Sequence, residues 1–261
     1  MIQIDHYVHA NKLLQVNPAE KFALAILTLI VCLISTSIYI PLIVWSLMAG
    51  LTLFKAGIPI KFFVRLMLLP ITFLLMGELT IAFSISAQTS GFLYHIVVGQ
   101  YTIGVTAQDL QTAVHLFAKS LGAVSCLYFL ALTTPMLEII SVLRKLRVPA
   151  LFVELMSLVY RFIFVLLETA ATIRISQSSR LGYVSMKSSF RSTSHLFFSL
   201  FIRSYLRSQA ISTALVARCY NGDIRVLEKE YPLSVRNCVL VFFVELFLFA
   251  TNLYGGGKVL G

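Results

Sequence analysis

The stretch LFVELMSLVYRFIFVLLETA, Leu151 to Ala170, decides the fold, because it can be read as a membrane span or as a long amphipathic helix. Its apolar residues suffice for a span. Glu154, Arg161 and Glu168, however, recur every seven residues and mark one polar stripe along a helix. A span here would also export the basic segment carrying Arg174, Arg180, Lys187 and Arg191, against the rule that Lys and Arg collect on the cytoplasmic side. Spacing and charge together predict a cytoplasmic helix.

Outward from that stretch the chain is a membrane protein. Of 261 residues 58% are hydrophobic and only 12% charged, against roughly 25% charged in soluble proteins. From Phe22 to Phe54 there is no charged residue, a run long enough for two passes through a hydrocarbon core about 30 Å thick, with Pro41 at the turn. Five spans are predicted, at 22–38, 41–55, 66–86, 110–134 and 233–254. The residues before Phe22 include Asp5, Lys12, Glu20 and Lys21 and lack the apolar core of a cleaved signal, so the first span is expected to be retained. Lys55, Lys61 and Arg65 follow the second span, and no Lys or Arg occurs from Leu66 to Ala118. This places the N-terminus inside and the 87–109 loop outside, where its β-branched residues suit a short hairpin or re-entrant piece. The net charge of +10 is thereby explained by topology, with no nucleic-acid partner needed.

The chain divides into an N-terminal membrane part of four spans (1–134), a cytoplasmic domain (135–232) and a last span with tail (233–261). The cytoplasmic domain carries thirteen Lys or Arg against six Asp or Glu. A short helix over about 136–146 opens with Pro135. A long one starts at Pro149 and runs to about Leu181, ended by Gly182; at 1.5 Å per residue it measures about 50 Å. Ser185 to Ser194 is expected as a loop, and a second long helix runs from about Ser192 to Tyr220 with a left-handed cap at Asn221-Gly222. Its Ala210, Ala214 and Ala217 share a face and would let two helix backbones approach, so the pair is expected to cross. The apolar residues Phe152, Leu155, Val159, Phe162 and Leu166 must bury against the neighbouring helix, the membrane face or a partner.

Ionisable groups within spans are costly. Glu78, Lys119 and Glu245 each fall near mid-depth of a predicted span, and the simplest reading is a polar lock in which Lys119 pairs with one or both carboxylates. A cation path would need more acceptors than these. His6 and His9, beside Asp5, have the spacing of a transition-metal pair on a helical turn; histidines near a terminus are more often interfacial, and no resident metal site is assigned. Cys32, Cys126, Cys219 and Cys238 have no paired spacing, which excludes a zinc or disulfide framework.

Both long cytoplasmic helices end alike, in SSRLGY (Ser178–Tyr183) and VARCYNG (Val216–Gly222), with an Arg in the last turn followed by Tyr183 or Tyr220 and a Gly. One such Arg suits the helix dipole; two on unusually long helices point to bidentate recognition of a partner's carboxylates. With these endings the chain resembles, over essentially its full length, the T subunits of energy-coupling factor transporters, and most closely the CbiQ branch. The family signature is a pair of Ala-Arg-Gly-like triplets, matched here by Ser179-Arg180-Leu181 and Ala217-Arg218-Cys219, and the opening NPAEK (Asn17–Lys21) matches as well. Leu181 and Cys219 stand where Gly is usual, which for Cys219 puts tight packing in doubt.

The resemblance implies an all-α membrane protein with long crossed coupling helices. It also implies a multi-pass scaffold in a bacterial or archaeal cell membrane that hydrolyses nothing itself. Arg180 and Arg218 would each dock in one of a pair of CbiO-like ATPases, which bind ATP and Mg. The second partner would be a CbiM-like substrate-binding membrane subunit, with room for a small CbiN-like companion, and the transported ion cobalt or, alternatively, nickel; a vitamin transporter of the same type is a further alternative. A membrane enzyme lacks its motifs here, and a stand-alone channel or secondary transporter lacks an inverted repeat. Titration of the chain with cobalt or nickel is expected to show no binding beyond that of a His6→Ala, His9→Ala variant; a site lost in that variant would make the pair a ligand set.

Overall fold

The computed structural model describes residues 7–82, 84–86, 92–98, 101–220, 231–232 and 234–256. It contains helices α1 (Pro18–Ile34), α2 (Tyr39–Gly50), α3 (Ile60–Ala82), α4 (Ala107–Thr133), α5 (Met136–Lys145), α6 (Ala150–Ser179), α7 (Met186–Ala217) and α8 (Val235–Gly256). Between α3 and α4 lie strands β1 (Ser84–Ser86), β2 (Phe92–Val98) and β3 (Tyr101–Thr106). They form a small antiparallel sheet in the order β1-β3-β2, the one exception to an otherwise all-α protein. The β2–β3 pair is a hairpin of the kind expected for the outer loop, with an irregular register between Phe92 and Tyr94.

Two compact units result, one formed by 1–139 with 230–261, the other by 140–229. In the first, α4 is the central helix and packs against α1, α2 and α3, while α8 packs on α1. Its core joins Ala25, Cys32, Val44, Met48, Phe129 and Leu248, and a second cluster gathers Ile58, Phe63, Met67 and Leu132 around the end of α2. Close approach of α1, α2 and α4 depends on Gly122, where a Cβ would lie 2.7 Å from Cys32 Sγ and 3.0 Å from the Pro41 carbonyl.

Several boundaries differ from expectation for local reasons. Asn17 caps α1, its side-chain oxygen accepting from Ala19 N at 3.0 Å with Pro18 in the first turn, so α1 starts and ends four residues before the predicted span. The turn to α2 is Ser35 to Ile38, and Pro41 sits in the first turn of α2, where a missing N–H costs nothing. Gly50 leads into a π-helical turn, Leu51–Lys55. Ser185 and Ser188 form a reciprocal capping box, so the serine-rich segment expected as a loop is the first turns of α7.

Four described helices are long and apolar enough to cross a membrane, α3, α4, α6 and α8, with mean hydropathy highest, at 2.1, in α6. Helix α1 at 17 residues and α2 with its π-helical extension are at the short limit for a span. Length and apolarity therefore admit α6 as a span, and the expectation that it lies at the cytoplasmic face rests on charge. Substituting Gly122→Val is expected to lower stability by about 1–3 kcal/mol through overpacking, whereas Gly77→Ala, with nothing within 4 Å, should leave the thermal unfolding of the detergent-solubilised protein unchanged.

Candidate functional site: two arginine caps and a buried anchor

Helices α6 and α7 end in the same backbone conformation. Arg180 (φ −101°, ψ 21°) and Arg218 (φ −97°, ψ 16°) are the residues at which the helix stops, and Leu181 (φ 58°) and Cys219 (φ 55°) follow in the left-handed region. Gly182 N donates to Gln177 O at 2.9 Å and Leu181 N to Ser178 O at 3.0 Å; Tyr220 N donates to Leu215 O at 3.1 Å and Cys219 N to Val216 O at 3.0 Å. Each set is a Schellman motif, which satisfies the last carbonyls of the helix. Helix α5 closes the same way, with Arg147 at φ 61° and Val148 N on Leu143 O at 3.2 Å.

This geometry corrects two expectations. The left-handed residues are Leu181 and Cys219, each earlier than the Gly182 and Asn221-Gly222 predicted, because the six-residue hydrogen-bonded ring fixes them there; Asn221 and Gly222 lie outside the described residues. The glycine usual at those two positions answers a backbone requirement rather than a packing one. Ser179 and Ala217, the last helical residues, precede each arginine, and Arg180 and Arg218 are both exposed.

The turn after Arg180 is braced from several directions. Gln177 Nε2 donates to Ser192 O at 2.9 Å, Tyr183 OH to Gln177 Oε1 at 2.7 Å, and Ser192 Oγ to Gly182 O at 2.8 Å. Arg174 lies over the Tyr183 ring at 6.0 Å. A Cβ on Gly182 would meet Ser192 Oγ at 2.6 Å, so glycine is required there. At the other cap Tyr220 OH donates to the buried Glu154 carboxylate near the start of α6. The two helices are therefore fastened near both ends of α6. Glu168, Thr172, Gln177, Arg180 and Arg203 line a cleft of about 560 Å³.

Faces differ from expectation as well. Of the predicted polar stripe, Glu154 meets the end of α7 and Glu168 lines the cleft, while Phe152, Leu155 and Val159 are exposed. The neighbouring helix does not cover them. Ala210, Ala214 and Ala217 are likewise exposed, because the helices are fastened through the turn and through Tyr220 rather than through the small-residue face.

In the membrane part the expected lock does not form. Lys119 Nζ donates to Leu33 O at 3.1 Å, one of the carbonyls left open at the C-terminus of α1. Both Glu245 oxygens and Glu78 Oε2 are buried without a hydrogen-bond partner. The reason is depth: Cys32 Sγ lies 3.7 Å from Lys119 O, so Lys119 stands level with the C-terminal end of α1, beyond the middle of the bundle. His115 lies against the backbone of Thr36 and Ser37. His9 is exposed, His6 lies outside the described residues, and among the described residues no group of three metal-ligating side chains occurs.

Sequence reasoning missed the buried cluster where α1 starts and α4 ends. Lys21, 3% exposed, donates to Leu13 O at 3.2 Å and Thr133 O at 3.1 Å and stands 3.7 Å from Glu138 Oε2. Tyr231 OH donates to Glu138 Oε1. Glu20 accepts from Ser234 N and Asn237 Nδ2, both at 2.9 Å, and Asn17 Nδ2 donates to Tyr231 O at 3.0 Å. Burial together with Glu138 pushes Tyr231 up to about 12. The signal was present in NPAEK, whose three polar residues are too many for a cap alone.

Leucine or cysteine in the left-handed region costs about 1 kcal/mol relative to glycine, part of which glycine forfeits through chain entropy. Leu181→Gly and Cys219→Gly are each expected to raise stability by about 0.5 kcal/mol, seen as a higher unfolding midpoint, and Leu181→Val to lower it.

The sequence matches the family described as "CbiQ: Cobalt transport protein" over residues 9–230. It is 34% identical to the cobalt transport protein CbiQ of Salmonella typhimurium, over 87% of this chain and 100% of that protein. It is 29% identical to a putative fused cobalt transport protein CbiMQ of Methanocorpusculum labreanum, over 94% of this chain and 41% of the fusion. Similarity extends at 28% identity to the energy-coupling factor transporter transmembrane protein EcfT of Ruminiclostridium cellulolyticum, over 85% of each chain. With its paired arginine caps and membrane helices, the chain belongs to the CbiQ family of cobalt transport proteins.

Proposed function

We propose that this multi-pass membrane protein is the scaffold of an energy-coupling factor transporter for cobalt, joining a pair of cytoplasmic ATPases to a substrate-binding membrane subunit. The observation that carries the reading is the pair of superposable caps on α6 and α7, each presenting an exposed arginine. Tyr220 is tied to Glu154, so Arg218 and Arg180 stand near opposite ends of α6. The 26 residues from Glu154 to Arg180 span about 39 Å at 1.5 Å each. That spacing suits two separate docking grooves, one on each ATPase.

Each guanidinium offers a fork of donors to carboxylates in such a groove. Movement of the ATPases, which bind ATP and Mg, then shifts α6 and α7. The outward apolar residues Phe152, Leu155 and Val159 supply a face for the membrane subunit, and this is also why α6 is so apolar while lying at the cytoplasmic side, with the N-terminus inside. The chain performs no hydrolysis of its own. A CbiM-like identity for the substrate subunit is supported by the relative in which CbiM and CbiQ are named as one fusion, and cobalt as cargo by the names of the CbiQ relatives. Nickel is the alternative cargo, since the selecting ligands would lie in another chain.

Arg218→Glu is expected to abolish uptake and weaken ATPase co-purification while the membrane part melts at the wild-type temperature. Arg180→Glu should act alike, and the double variant should add little. Normal association and uptake in Arg218→Glu would overturn the scaffold reading; metal analysis of the loaded complex distinguishes cobalt from nickel.

A further inference from the structure

The chain leaves the first unit within α5, between Ile139 and Ile140, and returns between Lys229 and Glu230. Glu138 and Tyr231 stand beside these two points, and they are hydrogen-bonded to each other. Glu138 also faces the buried Lys21 ammonium at 3.7 Å. The returning segment is held a second time, by Asn17 Nδ2 on Tyr231 O at 3.0 Å, and a third, by Glu20 on Ser234 N at 2.9 Å. Departing and returning chain thus share one anchor at the start of α1. All of these contacts lie in the first unit.

A buried ion pair is a poor source of net stability, since apolar side chains of similar volume serve as well or better; what it offers is direction and fixed geometry. The apolar clusters already hold the bundle together. We infer that the Lys21–Glu138–Tyr231 clasp is a positioning device for energy coupling: it keeps the two crossing points at one spacing, so that displacement of the coupling helices is delivered to α1, α4 and α8. Without it each crossing segment yields independently, and the same displacement is absorbed at the crossings. Glu138 is the pivotal residue, because its two oxygens address both the returning tyrosine and the lysine that reaches Thr133 O at the end of α4. The inference rests on the scaffold reading proposed above.

The test uses the full complex in proteoliposomes, with ATP hydrolysis and cobalt(II) entry measured in the same preparation. Tyr231→Phe removes only the hydroxyl that closes the clasp, and Glu138→Gln removes the charge. Both variants are expected to retain the ATPases and to hydrolyse ATP, with cobalt entering per ATP hydrolysed reduced by about tenfold, the scale of a typical coupling between sites. A purely structural role would lower the amount of complex and leave that ratio unchanged. A wild-type ratio in both variants therefore overturns the clasp, whether or not less complex accumulates. Arg218→Glu run alongside separates the two claims: if it retains its ATPases the scaffold reading fails, and if it loses them while Tyr231→Phe keeps the wild-type ratio, only the clasp fails.

Discussion

The satisfaction of one buried ammonium organises the end of the bundle at which α1 starts and α4 stops. Lys21 is removed from water at the start of α1, and desolvation of a charge is costly unless every donor finds an acceptor. Its acceptors are the Leu13 and Thr133 carbonyls, and the Glu138 carboxylate stands 3.7 Å away as its ion-pair partner. Supplying them requires the N-terminal segment, the end of α4 and the start of α5 to meet at one place. The start of α8 is added through Tyr231, Ser234 and Asn237. The register of α1 against α4 follows, and with it the close approach at Gly122 and the seat of Lys119 on the C-terminal end of α1.

The same requirement explains the contrast between the two ends of the bundle. Where α1 starts and α4 ends, polar groups converge and most are hydrogen-bonded, although Asn11 Oδ1 and Glu138 Oε2 have no hydrogen-bond partner among the described residues. Elsewhere in the bundle Glu78 and Glu245 keep buried oxygens without hydrogen-bond partners among the described residues, and Lys119 caps a helix rather than meeting a carboxylate. Polar atoms in a membrane bundle are thus handled by position along the helix, through open carbonyls at helix ends, as much as by pairing of charges.

Much of the fold was legible from hydropathy and charge: the membrane part, the long helices following Pro149 and the serine-rich segment, and the likeness of the two arginine endings. What escaped depended on contacts between distant segments. A period of seven located Glu154 on a stripe but could not say that the stripe meets Tyr220, nor which of the neighbouring helix, the membrane face or a partner covers the apolar face of α6, where Phe152, Leu155 and Val159 are exposed. Asn-Gly is a strong local signal for a left-handed residue, yet the hydrogen bonds at Leu215 and Val216 set the end of α7 two residues earlier. Depth along a span was misjudged for Lys119 because α4, with 27 residues, is longer than the helix it packs against. Lys21 was read only as a charge preceding the first span and Glu138 was not singled out; contacts such as that of Lys21 with Thr133, 112 residues away, and with Glu138 are made by folding alone.

The repeated cap has a further meaning in terms of symmetry. A single chain has no two-fold axis, and α6 and α7 differ in sequence along nearly all of their length. At their ends, however, the backbone from the third-last helical residue to the second residue past the arginine is the same shape twice, down to the unfavourable left-handed residue; α5 closes in that shape too, but with Leu146 rather than an arginine before its left-handed residue. An asymmetric chain carrying two copies of one local shape can engage a symmetric pair of partners through a single kind of groove. The cost of holding Leu181 and Cys219 left-handed is then the cost of making two unlike helices look alike to whatever binds them.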